Sequence, residues 1–313
     1  YYFDKTNYIE ELLKDKTEIK LFTRPRRFGK TLNMTTLKYF FDVRNAEENR
    51  KLFKDLYIKK SEYFKEQGQY PTIFITLKDT KKNNWEECYS KIKIILRDLY
   101  EEHSYIKDKL SINEKEEYDK ILFKKDDAEY DNALLNLTKY LYNYYQKKVV
   151  LLIDEYDSPL ITANQFGYYK EAINFFRDFL SSALKTNSNL KMGVLTGIVQ
   201  VAKEGIFSGL NNVKTYNILG DKFEIFFGLS EEEVEEALKY FEMTYEIEEV
   251  KRWYDGYKFG NSEVYNLWSI INYLSDRGLQ AYWVNTSDNA LIYDNLKNST
   301  VDVFNNLQTL FEG

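Results

Sequence analysis

IKLFTRPRRFGKTLNMTTLKYFF, residues 19–41, combines a strand, a basic loop and a helix in direct succession. Residues 19–22 have the short apolar pattern of a strand, and apolar residues recur at helical spacing after the loop. The loop ends in Gly29, Lys30 and Thr31. In this order a glycine lets the backbone approach a polyphosphate, a lysine reaches its β- and γ-phosphates, and a threonine hydroxyl binds Mg²⁺. The stretch therefore predicts a phosphate-binding loop.

The entrance to this loop departs from the general pattern. A glycine is expected five residues before Gly29, and this chain has Arg24 there. Because an arginine must avoid a positive φ, we expect a differently shaped entrance. A basic turn that merely caps a helix is the alternative, but the preceding strand and following helix favour phosphate binding. We assign nucleotide binding to Arg26, Arg27, Phe28, Gly29, Lys30, Thr31 and Leu32. Arg24, Arg26 and Arg27 could also neutralise phosphate charge.

A second signal is the run VVLLI, residues 149–153, which ends in two acidic residues. Such a run is typical of a buried parallel strand. In P-loop enzymes an acidic residue at the end of a neighbouring strand holds Mg²⁺, and a second one orients the attacking water. We therefore assign the metal to Asp154 together with Thr31, and the activation of water to Glu155. Asp157 is expected in the following turn, away from the metal. A strand running out into solvent is the alternative for the acidic pair taken alone.

The alternation of strands and helices predicts an α/β fold, a P-loop NTPase with a mainly parallel sheet sandwiched by helices. Further strands are predicted at 72–77 and 190–196, with helices at 8–14, within 84–147 and over 168–185. After residue 228 the pattern changes to helices near 231–242, 247–254 and 266–277, the first opened by a capping box at Ser230 and Glu233. We predict a core over 1–228, a small helical lid domain over 229–298, and the start of a linker or following domain over 299–313.

Composition excludes several classes of protein. The 313 residues are 43% hydrophobic and 30% charged, which is typical of a folded protein. One cysteine and one histidine exclude an intramolecular disulfide and a cluster of thiolate or imidazole metal ligands. The net charge of −6 argues against a surface that coats nucleic acid. No apolar run reaches the roughly 20 residues that span a bilayer, so we predict a cytoplasmic protein. The termini suggest a segment of a longer polypeptide.

Several stretches together resemble the bacterial AAA-ATPase-like family, whose members often carry a PD-(D/E)XK nuclease domain after the ATPase. They are TRPRRFGKTLNMTTLKYFF, VVLLIDEYDSPL, GVLTGIVQVAKEGIFSGLNNV, FGLSEEEVEEAL and WYDGYKFG followed by VYNLWSIINYL. The resemblance extends from Phe3 to about residue 285, and the arginine in place of the first glycine belongs to that family's own pattern. Two departures are Gln200, where the family often has arginine, and Leu267, where proline is common.

The resemblance implies an AAA-like protein with a site for ATP and Mg²⁺. Our leading hypothesis is that it hydrolyses ATP to ADP and phosphate to move the lid or a partner. The resemblance places Thr196 beside the Asp154 strand, where its hydroxyl suits a sensor, and a purely structural threonine is the alternative. The catalytic candidates are Glu155, Lys30 and Thr196. An arginine finger from another subunit, or Arg177, could complete the site, which leaves oligomerisation open. The alternative is a nucleotide-dependent switch without useful turnover that controls an attached or partner nuclease. DNA would then be contacted only indirectly, since Glu18-Ile19-Lys20 lacks the paired aspartate of a nuclease site.

Overall fold

The computed structural model describes residues 1–201, 206, 212–243, 247–254 and 256–283. Its centre is a parallel sheet of five strands in the order β2-β3-β4-β1-β5. The strands are β1 (Ile19–Thr23), β2 (Thr72–Thr76), β3 (Val149–Asp154), β4 (Leu190–Gly197) and β5 (Val213–Tyr216). Every residue of β1 and of β3 is buried, as expected where both faces of a parallel sheet are covered. The predicted α/β class is confirmed.

Eight α-helices accompany the strands in the described part of the chain up to residue 201. They are α1 (Asn7–Lys14), α2 (Lys30–Phe41), α3 (Ala46–Leu52), α4 (Trp85–Glu102), α5 (Ile112–Leu122), α6 (Ala133–Tyr145), α7 (Ser158–Phe166) and α8 (Tyr169–Leu184). Helices α4 to α8 pack on one face of the sheet, where Leu151 and Leu195 point, and α1 and α2 pack on the other, where Leu152 and Val194 point. None of the helices in the described residues is both long and apolar enough to cross a membrane.

The strand order corrects one expectation about the site. Strand β4 lies between β1 and β3, so the acidic strand is not the immediate neighbour of the strand that leads into the loop. Adjacent strands are about 4.8 Å apart, which puts β1 and β3 roughly 10 Å apart. Their carboxyl ends still share one edge, because all five strands are parallel. In this register Phe22 lies opposite Thr196, and Ile153 opposite Leu195.

The region after residue 228 forms its own apolar cluster. It contains α9 (Glu231–Tyr240), α10 (Ile247–Tyr254) and α11 (Leu267–Asp276), and the predicted capping box between Ser230 and Glu233 is present. A two-stranded antiparallel hairpin, β6 (Tyr257–Phe259) and β7 (Ser262–Val264), was not predicted. Residues 284–298 of the predicted lid and the predicted linker 299–313 lie outside the described residues. The domain boundary at 228 stays a prediction.

Candidate functional site

The loop after β1 turns sharply into the first residue of α2. Gly29 immediately precedes the helix with φ 75°, and Arg27 has φ 69°. Glycine adopts this left-handed conformation without steric cost. A side chain at Gly29 would also meet Leu267, since an added Cβ would lie 3.3 Å from a methyl carbon of that leucine. The first-turn N–H groups of α2 have no acceptors within the helix, and with the helix dipole they favour an anion here.

Lys30 is folded back over the loop that precedes it. Its ammonium donates to the carbonyl oxygens of Arg24 at 3.0 Å and Pro25 at 2.7 Å. Only 8% of the residue is exposed, and this burial lowers the pKa of Lys30 to about 8, although the carboxylates of Asp157, Glu155 and Asp154 oppose the shift. Within the described residues the ammonium forms no ion pair. Its charge is therefore held by neutral carbonyl groups.

Asp154 is hydrogen-bonded to two other predicted residues. Its Oδ2 accepts a hydrogen bond from the Thr31 hydroxyl at 2.8 Å, and its Oδ1 accepts one from the Thr196 hydroxyl at 2.5 Å. The side chains come from the start of α2, the end of β3 and the end of β4. Asp154 is 1% exposed, whereas Thr31 is exposed. The carboxylate thus links the start of α2 to the carboxyl ends of β3 and β4.

The oxygen ligands present fit a magnesium ion bound together with a polyphosphate. Mg²⁺ in nucleotide sites keeps several waters and takes one or two protein oxygens plus phosphate oxygens. Thr31 and Asp154 supply a hydroxyl and a carboxylate within hydrogen-bond distance of each other. Among the described residues there is no group of three or more His, Cys, Asp and Glu side chains that could hold a metal ion.

Glu155 lies one residue beyond the strand, in a strained conformation. Its φ is 52°, a left-handed value that is uncommon for a residue other than glycine. The carboxylate accepts a hydrogen bond from the Ser158 hydroxyl at 3.2 Å. Asp157 lies in the turn before α7, as expected, and its carboxylate accepts the N–H groups of Ile198 and Val199. The predicted base is therefore beside Asp154 but bonded to its own turn.

The three arginines of the loop have different surroundings. Arg24 is fully buried, and its guanidinium donates to the carbonyl oxygens of Thr23 at 2.9 Å, Tyr216 at 2.7 Å and Phe223 at 3.1 Å. It avoids a positive φ, as expected at this position. The expectation that it flanks the phosphates is wrong, because its charged group points into the interior. Arg26 is half-buried, and Arg27 is exposed.

Two loop residues contact the region after residue 228. The ring of Phe28 is buried, with ring centres 4.8 Å from Tyr257 and 5.1 Å from Phe259. The ring therefore packs inside the protein and is not exposed to a ligand. The Arg27 guanidinium lies 4.4 Å from the centre of the Trp268 ring on α11. Both contacts join the loop to this region, and nucleotide binding by Arg27 and Phe28 stays a prediction.

A cavity that sequence reasoning missed opens beside the loop. Its volume is about 440 Å³, and it is bounded by the N-terminal segment, α2 and α11. Gly29 and Leu32 line it on the side of the loop, and Leu267 and Ile271 line it on the side of α11. Leu32 and Ile271 are 49% and 47% exposed. Exposed apolar side chains indicate such a cavity, and their exposure is known only from the tertiary structure. The lining of the cavity is therefore largely apolar.

Comparison with known proteins found similar sequences. A family model described as Predicted AAA-ATPase matches residues 1–207, more than half of the chain. A curated protein of Azotobacter chroococcum mcd 1, described as an uncharacterized protein in the vnfD 5' region, is 24% identical over 300 residues. That match covers 94% of this chain and 52% of the relative, so the chain spans about half of the relative's length. No solved structure matches the chain.

Proposed function

The chain belongs to the predicted AAA-ATPase family, and from that premise we propose that it binds ATP with Mg²⁺ and hydrolyses it to ADP and phosphate. The observation that carries the proposal is the Asp154 carboxylate, which is hydrogen-bonded to Thr31 at the start of α2 and lies near the buried Lys30. A phosphate-binding loop beside a magnesium-binding carboxylate is the arrangement that binds a metal-bound polyphosphate in P-loop enzymes.

The residues of the loop would bind the triphosphate. The free N–H groups at the start of α2 would donate to phosphate oxygens, and Lys30 would move from the carbonyls of Arg24 and Pro25 to the β- and γ-phosphates. Thr31 and Asp154 would hold Mg²⁺, which supplies positive charge against the phosphate oxygens. The adenine would occupy the cavity between Leu32 and Ile271.

Two residues at the strand ends would serve hydrolysis. Glu155 would accept a proton from the attacking water, a role that suits a carboxylate one residue beyond the metal ligand. Thr196 would keep Asp154 oriented and sense the γ-phosphate. Since Arg27 stacks on Trp268 and Gly29 faces Leu267, a change of nucleotide in the loop would change the position of α11. The helical region would then act as a lid that moves a partner, such as an attached nuclease.

A switch that loads ATP without useful turnover is the second candidate. It is favoured by the hydrogen bond from Ser158 to Glu155, which occupies the predicted base. Glu155→Gln separates the two functions. For an ATPase the variant binds MgATP like the wild type and releases phosphate at least about 100-fold more slowly. For a switch, wild type and variant release phosphate equally slowly.

Calorimetric titration with ATP, in the presence and absence of Mg²⁺, tests the site itself. We expect Mg²⁺ to strengthen ATP binding to the wild type, and Asp154→Asn to remove most of that gain. Asp126→Asn is the matched control, because Asp126 has a fully exposed side chain whose ion pair with Lys93 is remote from the loop. Equal ATP affinities with and without Mg²⁺ in the wild type would contradict the proposed metal site.

A further inference from the structure

Asp157 occupies a helix-capping position but does not cap. It immediately precedes α7, where an aspartate ordinarily accepts an N–H of the first turn. No such hydrogen bond is made by its side chain. Its Oδ2 instead accepts the N–H groups of Ile198 at 2.7 Å and Val199 at 2.8 Å, 41 and 42 residues further along the chain. The carboxylate therefore joins the turn after β3 to the turn after β4.

The same two turns are tied together by neighbouring groups. The Tyr156 hydroxyl donates to the carbonyl oxygen of Val199 at 2.9 Å and accepts the N–H of Val201 at 3.1 Å. The backbone N–H of Tyr156 donates to the carbonyl oxygen of Thr196 at 3.0 Å. An added Cβ at Gly197 would lie 2.6 Å from the Tyr156 ring and 2.8 Å from Asp157 Oδ1. Only a glycine permits this close approach.

The burial of Asp157 is costly for a purely structural group. The residue is 1% exposed, and burial raises the pKa of its carboxyl group against the opposing effect of the two N–H groups and of Lys30. A buried carboxylate needs hydrogen bonds to offset its lost hydration, and here the hydrogen bonds it receives come from the turn that follows Thr196. The interaction thus connects the residue that hydrogen-bonds Asp154 with the turn that carries Glu155.

We propose that Asp157 is a positioning residue, which holds the Thr196 hydroxyl on Asp154 and fixes the distance between Thr196 and Glu155. The inference rests on the proposed ATP hydrolysis and extends it to a residue that would not touch the nucleotide. Without the carboxylate, the turn after Thr196 loses two hydrogen bonds, and the hydroxyl loses its fixed direction. The effect should therefore appear in the rate of the chemical step and act through Thr196.

A double-mutant cycle of ATP hydrolysis tests this proposal. We expect Asp157→Ala and Thr196→Val each to lower kcat about tenfold, with KM for ATP changed less than about threefold, and the double variant to be no slower than the slower single one. Asp157→Asn retains one acceptor oxygen and should recover most of kcat. Asp42→Ala removes another buried aspartate, at the far end of α2, and should lower the melting temperature while leaving kcat unchanged.

Each other outcome has a defined meaning. Multiplicative losses in the double variant, or a rise in KM with kcat unchanged, would overturn the positioning role and leave the ATPase proposal intact. A wild type that binds MgATP without turnover would also overturn it, in favour of the switch. A wild type that binds no ATP would remove the proposed function itself. If Asp157→Ala does not fold, Asp157→Asn and Gly197→Ala, which presses on the same contact, replace it in the cycle.

Discussion

Two buried lysines near opposite ends of β1 show how similar surroundings can have different purposes. Lys20, in the first half of the strand, and Lys30, beyond its carboxyl end, each have a pKa lowered to about 8 by burial. Lys20 donates to the carbonyl oxygen of Thr17 and lies 4.0 Å from Asp15. Asp15 also accepts the Tyr216 hydroxyl at 2.7 Å. The charge of Lys20 is therefore balanced by a carboxylate within the fold.

The ammonium of Lys30 has only carbonyl oxygens as direct partners among the described residues. It lies at the end of the sheet where Asp154 and the free N–H groups of α2 are found. The hydrogen bonds of Asp15, including one from the N–H of Thr17, keep its pKa below the usual range despite its burial. The comparison teaches that burial alone does not mark a binding lysine. Among the described residues Lys20 lies 4.0 Å from a carboxylate and Lys30 forms no ion pair, and this difference favours Lys30 as the predicted phosphate ligand.

The largest expected difference between the two lysines is in ATP binding. Lys30→Met should weaken ATP binding about 100-fold, or ~3 kcal/mol, because the variant removes the cation that pairs with the phosphates. Lys20→Met should change the affinity less than about twofold, since Lys20 lies away from the loop. Calorimetric titration measures both. Equal losses in the two variants would mean that Lys30 acts through the fold and not through a phosphate.

Replacing the buried Arg24 should destabilise the fold more than replacing Arg26, its neighbour in the loop. Arg24→Met leaves the carbonyl oxygens of Tyr216 and Phe223 without their donors, and should lower the free energy of unfolding by about 2–3 kcal/mol. Arg26→Met, at a half-buried position, should lower it by less than about 0.5 kcal/mol. Urea denaturation measures both values. An Arg24→Met protein that unfolds like the wild type but binds no ATP would mean that Arg24 contacts the phosphates after all.

The pH dependence of ATP affinity should also distinguish the role of Lys30 from that of Lys20. Without ligand the pKa of Lys30 is about 8, and a bound phosphate raises it. At pH values above 8, Lys30 therefore takes up a proton when ATP binds. Affinity is then highest below pH 8 and falls as pH rises, about tenfold between pH 7 and pH 9. Titrations across this range give the slope. Lys20→Met should keep the slope, and a slope that disappears in that variant would assign it to Lys20.

The smallest expected effect concerns the contact between the loop and α11. An exposed cation–π contact contributes about 0.5–1 kcal/mol, so Trp268→Leu should loosen the loop and weaken ATP binding about two- to fivefold. Trp253→Leu removes a similarly exposed tryptophan on α10 and should leave the affinity unchanged. Titration calorimetry distinguishes the two. Tighter binding in Trp268→Leu would mean that Arg27 is released from Trp268 to reach the phosphates.

Local patterns predicted the elements that carry the site. The strand, loop and helix over residues 19–41 and the strand ending at Asp154 follow from spacing that extends over a few residues, and the structure contains both. Strand β5 was missed because VKTY is short and half polar, and the hairpin β6–β7 because each strand has three residues. Such elements depend on pairing with distant chain more than on their own residues.

The residue types of the site and their order along the chain are properties of the amino-acid sequence alone. Their partners were decided by the tertiary structure, which places β4 between β1 and β3, turns Arg24 toward Tyr216 and directs Asp157 to Ile198. Helical and strand periodicity act over a few residues, and a sequence displays them directly. Hydrogen bonds between residues 41 to 192 positions apart exist only once the sheet has brought their segments together.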